Sequence, residues 1–91
     1  KKECIILRFT KKQFPYVVSK PLHHSQQILD EDECTLCIEV RPTYELQGQI
    51  LSFGSDVEVL SPDSYREEIR GILENTLNKY LAMQKGCTDG Q

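Results

Sequence analysis

The fold of this chain is decided by the stretch Gln49-Ile50-Leu51-Ser52-Phe53-Gly54-Ser55-Asp56-Val57-Glu58-Val59-Leu60-Ser61-Pro62, which joins a helix, a strand and a second helix almost without slack. Gly54 can adopt the left-handed conformation that ends many helices. Over residues 57–60 two valines alternate with other side chains, which predicts a strand with one buried face. Ser61 is then expected to cap the following helix, with Pro62 as its first residue.

The composition is that of a small acidic domain. The chain has 91 residues and a formal net charge of −3 at pH 7, so we expect a single domain that does not bind phosphate backbones by itself. No apolar run approaches the ~20 residues that span a bilayer, and we expect no signal peptide at the start of the chain. It begins Lys-Lys-Glu-Cys-Ile without an initiator methionine, and we interpret it as a piece of a longer polypeptide.

Upstream of the deciding stretch, the pattern predicts two strands of a hairpin preceded by a strand and a helix. The first strand is expected over residues 4–9 and the helix over residues 10–20, starting late because Pro15 is tolerated only in a first turn. Residues 26–30 and 34–41 are predicted to pair around an acidic turn.

Downstream, Thr43 is predicted to cap the second helix, and a strand is expected over residues 56–60. A long helix over residues 62–83 completes a domain of residues 1–83, and residues 84–91 are expected to form a disordered tail. The order predicts the α+β class, as a ferredoxin-like βαββαβ antiparallel sheet with helices on one face and an extended C-terminal helix.

The alternation also assigns each side chain to a face of the sheet. The strand residues expected to face the helix residues Leu46, Ile50 and Phe53 are Leu7, Phe9, Leu36, Ile38, Val57 and Val59. The other face is expected to present Cys4, Ile6, Arg8, Thr35, Cys37, Glu39 and Arg41. That face carries no aromatic residue, which argues against an RNA-recognition sheet. Gly48 and Gly71, inside helices, are predicted to mark points of close packing.

No metal site, cofactor or catalytic centre is predicted. Cys34 and Cys37 have C-x-x-C spacing, but in a strand they point to opposite faces, so Cys34 is interpreted as a small core residue. The pair His23-His24 is interpreted as part of a polar connector that caps the first helix. The acidic run 30–33 lacks the spacing of a calcium loop and is expected to be a solvated turn.

The loop after the first strand and the cysteine pattern lead to the same conclusion. Thr10-Lys11-Lys12-Gln13 provides neither a metallochaperone cysteine pair nor an arginine-bearing phosphate cradle, so we expect the protein not to be an enzyme. Cys4 lies at the extreme start and Cys87 in a polar tail, which does not suggest a disulfide framework. We therefore expect reduced thiols in a cytoplasmic protein.

Three segments, taken in order, resemble a known family. Ile5-Ile6-Leu7-Arg8-Phe9, His23-His24-Ser25-Gln26 and the block 50–62 are similar to the C-terminal extension, called WCX, of bacterial transcriptional regulators that contain a WYL domain. The resemblance covers about residues 4–81. It implies an upstream winged helix-turn-helix and a Sm-like WYL domain that senses an effector; the Trp-Tyr-Leu motif itself belongs to that upstream domain.

The resemblance implies a non-catalytic regulatory and dimerisation module that assists sensing by the WYL domain, in a homodimer that contacts DNA only through its winged helix. Ile6, Cys37 and Leu60 are the apolar residues expected to contact a partner on the open sheet face. The alternative is a stand-alone small-molecule-binding domain of the ferredoxin-like, amino-acid-sensing type. That alternative favours a glycine-rich loop after the first strand, which this sequence lacks.

Basic residues raise one further hypothesis about the open face. Arg8 and Arg41 are expected to lie near each other there, with Lys11 and Lys12 close to the start of the first helix. Together with the upstream domain, these four residues would form one edge of a groove for single-stranded nucleic acid. The interpretation we favour is that they are ordinary solvated charges.

Overall fold

The computed structural model describes residues 1–86, and their side chains as far as Ala82, and it contains four strands and three α-helices within that range. They are β1 (Glu3–Phe9), α1 (Phe14–Ser19), β2 (Gln27–Asp30), β3 (Thr35–Val40), α2 (Tyr44–Ser52), β4 (Val57–Ser61) and α3 (Asp63–Gly86), with a 3-10 turn, Gly54–Asp56, before β4. The strands form one sheet in the order β2-β3-β1-β4, and every pairing is antiparallel. The predicted α+β class, with an antiparallel sheet and a C-terminal helix, is confirmed.

One apolar core joins a single face of this sheet to all three helices. On the sheet side, the pairs Leu7–Leu36 and Leu7–Val59 fix the register of the three adjoining strands. The buried core residues are Ile5, Leu7, Phe9, Phe14, Val17, Cys34, Leu36, Ile38, Val40, Leu46, Ile50, Val59, Tyr65 and Ile69. Val57 and Phe53, both expected in the core, pack against it while partly buried. The predicted division of the strands into two faces is therefore confirmed.

Local chemistry explains where the first two helices begin. α1 begins at Phe14 because Pro15 must lie in the first turn of a helix, and the preceding residues form a turn in which the Gln13 N–H donates to the Thr10 carbonyl at 3.1 Å. Thr43 caps α2 as expected, since its hydroxyl accepts the Leu46 N–H at 3.1 Å.

The junction between β4 and α3 differs from the expected one. Ser61 is the last residue of β4 and pairs with Ile6, so it does not cap the helix. Pro62 precedes α3 and its carbonyl accepts the Arg66 N–H at 2.9 Å. The cause is a bulge: Ser61 pairs with Ile6 and Val59 with Leu7, which leaves Leu60 as the extra residue and lengthens the strand.

The C-terminal helix is longer than predicted: α3 continues to Gly86, whereas the sequence predicted an end at residue 83. Residues 84–86, expected in the tail, are thus helical, and the rest of the expected tail, including Cys87, lies outside the described residues.

Backbone conformation marks two turn residues. Gly54 has φ 60°, the left-handed value predicted for a helix stop. Cys34 also has a positive φ, 57°, and it lies one residue before β3 instead of inside it, although it is buried as expected. The prediction for Gly48 and Gly71 is wrong: a Cβ added at either position meets no atom within 4 Å.

Strand β2 is the short, exposed edge of the sheet. All four of its residues are exposed, including Ile28 and Leu29. Its register to β3 shifts between Ile28 and Asp30, so Leu29 is an extra, bulged residue. The Asp30 carboxylate accepts the N–H groups of Asp32 and Glu33 at 2.9 and 3.2 Å, which builds the acidic run into a hairpin turn.

Candidate interaction surfaces

The face of the sheet opposite the helices, called here the open face, combines apolar and charged side chains. Ile6 lies opposite Cys37 in the middle of β1 and β3, and both are half-buried. Cys4 lies opposite Glu39, and Arg8 opposite Thr35. These two central strands present no aromatic residue to the open face, as the sequence predicted. The composition suits contact with a protein surface better than stacking on bases.

The bulge in β4 widens the apolar part of the open face. Leu60 is the extra residue beside the Ile6–Ser61 pair, and it is half-buried. Ile6, Cys37 and Leu60 therefore lie on neighbouring strands, since β1 stands between β3 and β4. Their role in partner contact remains a prediction.

A charged cluster links the open face to α3. Glu58 accepts hydrogen bonds from Arg8 at 3.2 Å and from Arg66 at 2.9 Å. Arg66 also donates to the Val59 carbonyl at 2.8 Å, and Arg8 lies 3.7 Å from Glu33. The hydrogen bonds from Arg66 and then Arg8 hold the pKa of Glu58 below its usual value. The cluster fixes the charges of β1, β4 and α3 relative to one another.

The four basic residues proposed to line a groove are not brought together. Arg8 pairs with Thr35 at one end of β3, whereas Arg41 follows the opposite end of that strand. Six residues of extended chain put the two arginines about 20 Å apart along the sheet. Arg41 also borders a hollow lined by α2 residues, toward the helix layer. The expectation that Arg8 and Arg41 are neighbours is wrong.

The two lysines lie nearer Arg8, in the turn after β1. Lys11 is exposed, and the Lys12 ammonium is 3.9 Å from the Asp56 carboxylate. Arg8, Lys11 and Lys12 thus form a group at one end of the sheet, where the carboxylates of Glu33, Asp56 and Glu58 accompany them. Whether this group or Arg41 contacts nucleic acid remains a prediction.

The segment His23-His24-Ser25-Gln26 acts as a structural connector. The Gln26 side chain donates to the Val17 carbonyl and accepts the Leu22 N–H, each at 3.0 Å, which caps the end of α1 as predicted. Ser25 was not singled out, yet its hydroxyl bonds both the N–H and the carbonyl of Glu39, at 2.8 and 3.2 Å. Its place in the segment His23-His24-Ser25-Gln26, which carries part of the family resemblance, was the signal for this role in the sequence.

The surroundings of His23 and Cys37 shift the pKa values of both side chains. Burial, then the neighbouring His24 and Lys2, lower the pKa of His23. Cys4, Cys34 and Cys37 are free thiols, and burial together with Cys4 raises the pKa of Cys37. Within residues 1–86, no three histidine, cysteine, aspartate or glutamate side chains are grouped as metal ligands.

A groove lies between α2, β4 and α3. It has a volume of about 160 Å³ and an apolar floor that includes Ile50, Val59, Ile69 and Leu73. Arg66 and Arg70 line it from α3. Beyond the groove, α3 exposes Leu73, Leu77, Tyr80 and Leu81, each about half exposed or more. No helix in the described part of the chain is long and apolar enough to cross a membrane.

The chain is similar to a described family of protein domains. A protein-family model with the description WCX domain matches residues 2–77, which include every strand, the first two helices and more than half of α3. No curated protein matches the chain.

Proposed function

The chain belongs to the WCX domain family, and on that premise we propose that it is the non-catalytic regulatory and dimerisation module of a WYL-type transcriptional regulator. In this proposal, an upstream winged helix binds DNA and an upstream WYL domain senses the effector. The WCX domain assists sensing and holds the regulator as a homodimer in the cytoplasm. The supporting observation is the family match over residues 2–77.

We also assign the sheet to the ferredoxin-like type. β3 lies between β1 and β2, and β1 lies between β3 and β4. The helices α1 and α2 therefore each connect two strands that are separated by a third, which is the split βαβ connection of that fold. The fold is shared by many functions, so this assignment carries no functional argument of its own.

The open face supports a docking role within the same polypeptide. Interfaces between domains of one chain are more polar than obligate interfaces, and they need apolar contacts surrounded by fixed charges. Ile6, Cys37 and Leu60 supply half-buried apolar area. Glu58, bonded to both Arg8 and Arg66, supplies charges that need little ordering when a partner arrives. We propose that the upstream WYL domain covers this face.

The test uses the protein encoded by the complete reading frame. Ile6→Glu places a charge in the centre of the open face and leaves the core untouched. Leu29→Glu, on the exposed edge strand, is the matched control. We expect Ile6→Glu to weaken the effector-dependent change in DNA affinity by ~10-fold or more, the order expected when a charge is buried without a partner. An unchanged effector response in Ile6→Glu, with Leu29→Glu also unchanged, would refute docking through this face.

The stand-alone small-molecule sensor remains the second candidate. A thermal melting experiment distinguishes it from the regulatory module. A domain that binds a free amino acid is stabilised by that ligand through mass action. The 91-residue chain should then melt at a higher temperature when amino acids are added singly in large excess. We expect no such shift, because the regulatory module acts through the neighbouring domain.

The nucleic-acid hypothesis is tested by reversing its charges separately. Arg8→Glu and Arg41→Glu, alone and together in the complete protein, are titrated with short single strands at two salt concentrations. A shared groove predicts that each reversal lowers affinity and reduces the salt slope. The separation of the two arginines leads us to expect no loss for Arg41→Glu.

A further inference from the structure

The C-terminal half of α3 projects from the domain as a free helix. Tyr65 and Ile69 are buried in the core, but every residue from Leu73 to Ala82 is exposed. We call residues 73–82 the α3 arm. A helix that leaves its domain loses the tertiary packing that provides most helical stability. The arm therefore depends either on its own sequence or on a surface that covers it.

The arm carries an apolar ridge that continues from the core. Ile69, Leu73, Leu77 and Leu81 recur at intervals of four residues, so they form one row along the helix surface, and Tyr80 lies beside them. Within this row, exposure rises from 6% at Ile69 to 49% at Leu73 and 55% at Leu77. A contiguous exposed row of large apolar side chains marks an interaction site.

The groove between α2, β4 and α3 begins where the ridge leaves the core. Ile69 and Leu73 belong to both the ridge and the groove wall. Its volume of about 160 Å³ far exceeds the ~10–15 Å³ that one water needs, so side chains can enter it. The arm of the same molecule cannot do so, because α3 is continuous from Asp63 to Gly86 and itself forms one wall. The α3 arm of a second molecule is free of this constraint.

We propose that the occupant is the α3 arm of a second copy of this chain, paired antiparallel about a two-fold axis at the level of Asn75. This proposal rests on the dimerisation part of the proposed function and names its surface. The axis places Leu73 against Leu77 of the second copy, and Ile69 against its Leu81. A two-fold axis repeats both contacts, so one row of side chains closes the whole interface. Two such rows with four-residue spacing pack in the helix-crossing class that is commonest in globular proteins.

The charges on α3 favour this pairing over the parallel one. Arg70 is already bonded to Glu67 at 2.9 Å and Glu74 at 3.2 Å, so it brings little uncompensated charge to the interface. Antiparallel pairing puts the Arg70 guanidinium beside Tyr80 of the second copy, a cation–π arrangement. Parallel pairing would place Arg70 against Arg70 and Tyr80 against Tyr80, and it would lose this contact. No acidic residue interrupts the row from Ile69 to Leu81.

The tip of the arm is a feature of this chain beyond the family match. Tyr80 and Leu81 follow residue 77, where the matched range ends. They are also the residues that reach furthest into the groove of the second copy. A chain that stopped at the matched range would lose the contacts to Arg70 and Ile69.

The experiment is sedimentation equilibrium of the 91-residue chain over ~10 µM to ~1 mM, the range suited to a small interface. We expect a reversible dimer. Leu77→Glu should weaken dimerisation by ~100-fold, and Leu77→Ala, which keeps helix propensity, by ~10-fold. Leu29→Glu, an equally exposed leucine on β2, should dimerise like the unchanged chain. Far-UV circular dichroism and thermal melting establish that each variant is folded.

The outcomes separate this interface from the proposed function. If the chain dimerises and both Leu77 variants do so equally well, the arm is not the interface. If Ile6→Glu abolishes the dimer instead, the open face holds the two copies together, and only the regulatory role survives. A chain that is monomeric at ~1 mM overturns the arm-in-groove dimer, while the effector response of Ile6→Glu in the complete protein still decides the regulatory role.

Discussion

At the scale of single residues, two positions show how backbone conformation fixes the turns. Gly54 and Cys34 both have positive φ angles, which L side chains adopt at a cost. The left-handed conformation of Gly54 could be predicted from the sequence, because glycine is the usual residue where a helix ends before a strand. Cysteine at position 34 gave no such signal. Its burial and the bond from the Phe9 N–H to its carbonyl, at 2.9 Å, hold the left-handed turn in place.

Two glycine substitutions separate backbone strain from side-chain crowding. Gly54→Ala should destabilise the domain by about 1–2 kcal/mol, since an added Cβ finds open space but the left-handed backbone is unfavourable. Gly48→Ala, also in open space but inside α2, should stabilise it by about 0.5–1 kcal/mol. Urea unfolding of both variants provides the measurement. Equal effects of the two substitutions would show that φ at position 54 is not the controlling variable.

At the scale of the elements, the sequence predicted the strands, the helices and the buried faces because each rests on a local pattern. Alternation identified β1 and β3, and Thr43 marked the start of α2. The prediction for the β4–α3 junction was wrong because a register shift is a property of two paired strands and not of one segment. The sequence around Ser61 does not show that Leu60 forms a β-bulge opposite Ile6. Likewise, the position of Gly48 and Gly71 inside helices does not show whether another part of the chain packs against them.

A pair of leucines tests the assignment of faces. Leu36 in β3 is fully buried, so Leu36→Ala should cost about 2–5 kcal/mol through lost contacts and the cavity left behind. Leu29 in β2 is 51% exposed, and Leu29→Ala should change stability by less than about 0.5 kcal/mol. Chemical denaturation compares the two variants directly. A cost below ~1 kcal/mol for Leu36→Ala would mean that the strand faces are reversed.

The Glu58 cluster makes stability depend on pH. The folded-state pKa of Glu58 lies below the ordinary value of 4.5, so its stabilising effect is present above that value and is lost as pH falls through the folded pKa. Glu58→Gln should destabilise the domain at pH 7 by up to about 1 kcal/mol, since the cluster is largely solvated. Once the pH has fallen below the folded-state pKa of Glu58, the variant and the unchanged protein should have the same stability. Unfolding curves at neutral and acidic pH, with Glu31→Gln in the exposed turn as control, check this expectation.

At the scale of the whole molecule, the sequence identified the family but not the arrangement of surface charges. Ile6 and Cys37 were placed on one face correctly, because alternation along each strand decides it. Arg8 and Arg41 were expected together because both fall on one side of their strands. The antiparallel pairing of β1 with β3 puts them at opposite ends. That separation is a long-range property, and so is the groove beside α3, which three distant segments form.

The net charge leads to a prediction for the isolated chain. With a formal charge of −3, and with Arg8 and Arg41 at opposite ends of the sheet, it should bind DNA negligibly at physiological salt. Fluorescence anisotropy with labelled single and double strands, at low and physiological salt, is the measurement. Binding that persists at physiological salt would contradict the prediction and would place a nucleic-acid site on this domain itself.

The bulge in β2 has a consequence for how the protein behaves in concentrated solution. An edge strand offers unpaired backbone groups on which further chains can add, and continued addition leads to fibrils. β2 exposes Ile28 and Leu29, yet it is only four residues long and ends at Asp30. The extra residue twists the ribbon, and the carboxylate would be buried by an incoming strand. The irregular edge thus disfavours the addition of a further strand to β2.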